Sequence, residues 1–198
     1  MGTGPAAGGV RAAGAAAARL TLAAGVPAWP GIRWPAIFDQ LMLDRDAVLA
    51  GQVWRLWTGH LMHLDLRHAA VNLAALALLA LIAARMRALP LLLGGSLLLM
   101  PAISLGLLLC VPDLQWYAGL SGLLHAWTAW LLVRKGGVAA VAGLALLAAK
   151  LAWETALSLT SMGIPVVLEA HRIGALAGLV LAGIAQARTS RAGDACRP

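Results

Sequence analysis

"HAAVNLAALALLALIAA", residues 68–84, decides the architecture, because this whole run carries only two polar side chains, His68 and Asn72. As a helix it covers about 25 Å at ~1.5 Å per residue, close to the ~30 Å of hydrocarbon in a bilayer. A surface helix would return to polar residues every three or four positions, and beyond Asn72 this stretch never does. Runs of the same kind follow at residues 90–111 (PLLLGGSLLLMPAISLGLLLCV), 119–133 (GLSGLLHAWTAWLLV), 137–153 (GVAAVAGLALLAAKLAW) and 166–187 (VVLEAHRIGALAGLVLAGIAQA). An earlier run, residues 8–29 (GGVRAAGAAAARLTLAAGVPAW), is mostly alanine and glycine with Arg19 inside it. Its hydropathy is marginal, so it reads either as a first span or as an interfacial or loosely ordered leader. No compact leucine-rich core follows a basic start, so a cleaved signal peptide is not expected.

Composition agrees. Of the 198 residues 61% are hydrophobic and 12% charged, too little polar surface to coat a soluble globule. The expectation is an all-α, polytopic membrane helix bundle of six transmembrane helices. It forms one domain over residues 1–198, with flexible ends at about 1–9 and 189–198. Arg11, Arg85, Arg87, Arg134, Lys135, Arg188, Arg191 and Arg197 fall on one side of such a bundle, which places that side and both termini in the cytoplasm. Arg33, Arg45, Arg55 and Arg67, in the long connection after the first span, are offset by Asp39, Asp44, Asp46 and Asp65 and face outward. The formal net charge of +7 is then a topology signal, and no nucleic-acid partner is expected. Cys110 and Cys196 fall on opposite faces of the bilayer, so no disulfide is implied.

Within this apolar chain the polar side chains cluster at one depth. Ser121 lies between Gly119 and Gly122 in the first turn of the fourth span, where backbone amides lack helical partners and the helix dipole is positive. The two glycines leave that backbone approachable, and its amides can hold an oxyanion. A serine hydroxyl needs a base to become a nucleophile, and His171 sits at similar depth near the outer end of the sixth span. Gly174, Ala175, Gly178 and Ala182 share the face of His171, and small residues let two helices come close. His125 and Thr128 share a face with Ser121. His68 and Asn72, four apart at the outer start of the second span, can both donate to a carbonyl oxygen that gains negative charge.

These residues carry a family resemblance. The segments "WRLWTGHLMHLDLRHAAVNL", "GLSG" and "AHRIGALAG" look like the three hallmark segments of rhomboid intramembrane serine proteases, in order, over roughly residues 50–185. The histidine four residues after the serine, "KLAWE" at Lys150 to Glu154, and "EAH" at Glu169 to His171 are similar to the rhombosortase branch. Rhomboids more usually carry tyrosine where this chain has His125. The resemblance implies a dyad of Ser121 as nucleophile and His171 as general base, without an acidic third member. It implies His68, Asn72 and the Ser121 backbone as oxyanion donors, His125 as the ring stacked on the base, and a structural part for His63. Implied substrates are bacterial membrane-anchored proteins with a C-terminal sorting signal, made of a glycine-rich motif, a hydrophobic helix and a basic end. The implied location is the bacterial inner membrane, with the site toward the periplasm.

Lys150 and Glu154, four apart on the fifth span, read as an ion pair anchored beside Trp153 at the outer interface, or as substrate contacts. Glu169 can tune His171 if its side chain turns inward. No metal or other cofactor is expected: HExxH is missing, and His60 with His63 lacks the glutamate and the helical spacing of such a site. The alternative to a protease is a non-catalytic protein of the same fold that binds or escorts membrane helices.

Overall fold

The computed structural model describes residues 5–156 and 167–195. Val166, the start of the sixth apolar run, and Cys196 lie outside the described residues. The chain is mostly helical. Helix α1 (Pro5–Arg33) leads into the short helices α2 (Pro35–Leu41), α3 (Arg45–Leu49) and α4 (Arg55–Thr58) and a 3-10 turn at Gly59–Leu61. The long helices α5 (Leu66–Arg85), α6 (Leu89–Cys110), α7 (Ser121–Lys135), α8 (Gly137–Ala156) and α9 (Leu168–Ala195) follow. Both α1 and α9 run on into the stretches expected to be loose ends.

Among the described residues, four helices are long and apolar enough to cross a membrane: Leu66–Arg85, Leu89–Cys110, Gly137–Ala156 and Leu168–Arg188. That is the pattern of a membrane protein. The other two expected spans do not meet the measure: α7 has only 15 residues, and α1 is diluted by glycine and by Arg11 and Arg19.

Helix α7 is the centre of the bundle. Gly122, Leu123, Leu124, Ala126, Trp127, Ala129, Trp130 and Leu131 are all buried. Trp127 satisfies its indole N–H by donating to Ser96 Oγ of α6 at 2.9 Å, and Ser96 in turn donates to the Leu92 carbonyl at 2.7 Å. Against α7 lies α9, with backbones touching: a Cβ added to Gly174 would meet the Gly122 carbonyl oxygen at 2.0 Å. Only glycine permits that approach, and close backbone contact supplies dispersion where lipid removes any hydrophobic drive between helices. Helix α8 is peripheral. Ala140 is its one buried residue among those described, and it touches α7 where Gly143 leaves room for Leu132.

The connection from α1 to α5 holds the start of α7 in place. Strands β1 (Leu43–Asp44) and β2 (Trp116–Tyr117) pair antiparallel, Leu43 opposite Tyr117. Arg45 donates to the carbonyls of Leu114 at 2.8 Å and Val111 at 2.7 Å. Arg55 is buried and donates to those of Asp39 and Met42. The arginines that the sequence presented as balanced surface charge therefore clamp backbone carbonyls, which a guanidinium fork does well. His60 is fully buried, its Nε2 bonded to the Met100 carbonyl at 2.9 Å and to Ser104 Oγ at 3.1 Å.

Candidate active site

Three helices begin at one place. His68 is in the first turn of α5, Ser121 opens α7 and His171 is in the first turn of α9. Their dipoles point positive ends at a common point, which favours negative charge there. Each start has a local cause. Asp65 caps α5 by accepting from the His68 N–H at 2.8 Å. Before α7, Gly119 takes φ +138°, a conformation closed to most side chains, and a Cβ there would also lie 2.9 Å from the His68 ring. The Gly119 N–H donates to the Gly59 carbonyl at 3.0 Å, and buried Tyr117 donates its hydroxyl to the Gly119 carbonyl, which pins the turn. Burial pushes the Tyr117 hydroxyl up to about 12, so it remains a donor.

Ser121 Oγ lies 3.0 Å from His171 Nε2. His171 Nδ1 lies 3.2 Å from Glu154 Oε2 at the end of α8. A carboxylate can only accept, so Nδ1 carries the proton and Nε2 presents its lone pair to the serine hydroxyl. The resemblance implied no acidic partner for this histidine, and the residue facing Nδ1 is Glu154 rather than Glu169. The other oxygen, Oε1, accepts from Lys150 Nζ at 2.8 Å. Lys150 also lies 2.7 Å from His125 Nε2. His125 Nδ1 lies 2.7 Å from the Ser121 carbonyl, and since that oxygen only accepts, Nδ1–H donates and Nε2 accepts from the ammonium. The His125 ring stacks on His171 with centroids 4.1 Å apart and planes 17° from parallel.

His125, Glu154 and His171 bring their ligand atoms within 4.8 Å of one another, a spacing that could hold a metal ion. The Lys150 ammonium, however, already bonds both His125 and Glu154. The cationic position is thus taken by a side chain that bonds two of the three residues.

A pocket of about 300 Å³ opens on Ser121, lined by His68, Leu64, Asp113, Gln115 and Trp116 among others. Asn72, the other expected oxyanion donor, is buried and donates Nδ2 to the His68 carbonyl at 3.0 Å, and it does not line this pocket. His63 is buried with its ring edge-on to His68 at 5.0 Å, its Nδ1 bonded to the Leu61 carbonyl. Burial pushes both His60 and His63 down to about 4, so each is a neutral ring at ordinary pH. Thr128 donates to the Leu124 carbonyl within its own helix and takes no part in the group. Arg172 donates to Thr155 Oγ1, a further link between α9 and the end of α8.

Sequence reasoning missed the reach of Glu154 and Lys150 into this group, and the parts of Tyr117, Arg45 and Arg55 in holding the turn before Ser121. Comparison of the chain with protein-family models and with curated proteins finds no match.

Proposed function

We propose that this chain is an intramembrane serine protease, with Ser121 as nucleophile and His171 as general base. The observation that carries this reading is the 3.0 Å contact between Ser121 Oγ and His171 Nε2 among helices of membrane-spanning length. In the reaction Ser121 Oγ attacks the scissile carbonyl carbon while its proton passes to His171 Nε2. The tetrahedral oxyanion is held by the Ser121 N–H and His68, and by Asn72 once its amide leaves the His68 carbonyl. His171 then protonates the leaving amine as the C–N bond breaks. Water attacks the resulting ester, giving its proton to His171, and release of the acid product returns that proton to Ser121.

We further propose six membrane crossings, with α1 and α7 completing the four apolar helices, in the bacterial inner membrane. The termini are cytoplasmic and Ser121 lies toward the periplasmic side. The likeness of the three quoted segments to rhomboid proteases, and of "KLAWE" and "EAH" to the rhombosortase branch, supports membrane-anchored proteins with a glycine-rich C-terminal junction as substrates. Physical chemistry agrees: a helical peptide bond must unwind before attack, and glycine lowers the cost of leaving helical geometry by about 1 kcal/mol per residue.

The test is co-expression with a substrate bearing a glycine-rich junction and C-terminal anchor. Wild type is expected to shorten it, and Ser121→Ala and His171→Ala are not. Undiminished shortening by either variant refutes the assignment, and binding without cleavage by all three favours a protein that escorts membrane helices.

A further inference from the structure

We propose that Glu154 is the third member of a Ser121–His171–Glu154 triad, held in place by Lys150, so that the site is not a two-residue dyad. This deepens the protease reading and rests on it. Glu154 belongs to the peripheral helix α8, and its Oε2 is the acceptor for His171 Nδ1 at 3.2 Å. Two consequences follow from that contact. The ring is locked in the tautomer that offers Nε2 to Ser121, and the imidazolium formed when Ser121 gives up its proton gains a facing negative charge.

Two features favour a charged carboxylate at this position. Lys150, one turn earlier, neutralises Oε1 at 2.8 Å, and the first turn of α9, which carries His171, presents its positive end. The ammonium also reaches His125 Nε2 at 2.7 Å. One cation thereby fixes both the carboxylate behind the base and the ring stacked on it, and the four side chains form a continuous chain of donors and acceptors ending at the serine hydroxyl. Glu154 does not face the reacting atoms, so it is a positioning residue that acts through His171.

The experiment uses the full chain in detergent with Glu154→Gln, Glu154→Asp, Lys150→Met and Ser121→Ala. It measures cleavage of a glycine-rich anchor peptide, the rate at which a fluorophosphonate probe bonds to the serine oxygen with loss of fluoride, and the melting temperature. Glu154→Gln is expected to lower kcat and the labelling rate about 100-fold or more with KM and melting temperature little changed. Glu154→Asp should recover at least tenfold over Gln, and Lys150→Met should lose about tenfold. Equal rates for wild type and Glu154→Gln overturn the proposal while leaving the protease reading intact. So does a loss that tracks a lowered melting temperature and is no better in the Asp variant. Cleavage by Ser121→Ala at the wild-type rate sinks the protease reading itself. Independently of cleavage, 15N shifts of histidine-labelled protein report the tautomer: His171 protonated at Nδ1 supports the proposal, and protonation at Nε2 in the wild type overturns it.

Discussion

A methyl group placed on Gly178 of α9 would lie 2.2 Å from the carbonyl oxygen of Ala126 on α7. The two helices that carry His171 and Ser121 are therefore in register through bare backbone. Gly178→Ala is expected to force them apart, destabilising the protein by about 1–3 kcal/mol. A displacement near 1 Å at the reacting groups lowers cleavage about 100-fold. Gly183, farther along α9 with nothing within 4 Å of its Cβ position, is the control. Gly183→Ala should leave both melting temperature and cleavage unchanged or slightly raise the former. Equal behaviour of the two variants would show that the close approach is immaterial.

The stacked pair His125 and His171 leads to a second prediction. His125→Ala removes both the ring face and the acceptor for Lys150, and should slow fluorophosphonate labelling of Ser121 by tenfold or more. His125→Tyr restores a ring and a polar edge, and should recover most of that rate. A fully active alanine variant would remove His125 from the site.

Stability should fall in acid in a defined window. The unfolded chain protonates His60 and His63 near the ordinary imidazole value of 6.5, whereas the folded chain resists until about 4, because both rings are buried. The contribution of these two rings is thus fully present above pH 6.5 and is lost progressively as the pH drops toward 4, by about 3 kcal/mol per ring. Melting curves in detergent between pH 7.5 and 4 test this. His63→Gln should flatten the acid slope, and an unchanged slope would assign the loss to other groups.

Asp65 gives a local prediction with a distant effect. Its carboxylate caps α5 at the His68 N–H, so Asp65→Ala costs about 1 kcal/mol and loosens the turn that positions the His68 ring. Asp65→Ser, which keeps an acceptor, should restore stability and the rate of cleavage together. Loss of stability without any change in cleavage would separate His68 from the chemistry.

Much of this arrangement can be read from residue order. The apolar runs mark the long helices, and the three- and four-residue spacing of Gly174, Ala175 and Gly178 marks the face of α9 that meets α7. Glu154 was harder to read, because an i,i+4 partner on its own helix satisfies it locally. Hydropathy alone does not say whether such a pair faces lipid or the bundle. Arg45 and Arg55 were obscured for the same kind of reason: aspartates nearby in sequence balance them on paper, while in the fold they bind carbonyls brought in from elsewhere. The length of α1 escaped too, since Pro27 and Pro30 lie inside a helix that continues to Arg33, where proline ordinarily argues for a break.

The 15 residues of α7 make a rod about 22 Å long, against a hydrocarbon layer of about 30 Å. In a bilayer, a central rod that short would leave a hollow at one end, and among the described residues the turn from Trp116 to Leu120, with Leu64, Asp113 and Val167, borders the space beside Ser121. Such a hollow would let bulk water descend to Ser121 while lipid still surrounds the neighbouring longer helices. On the proposed function, shortness at the middle of the bundle would reconcile hydrolysis with an oily setting.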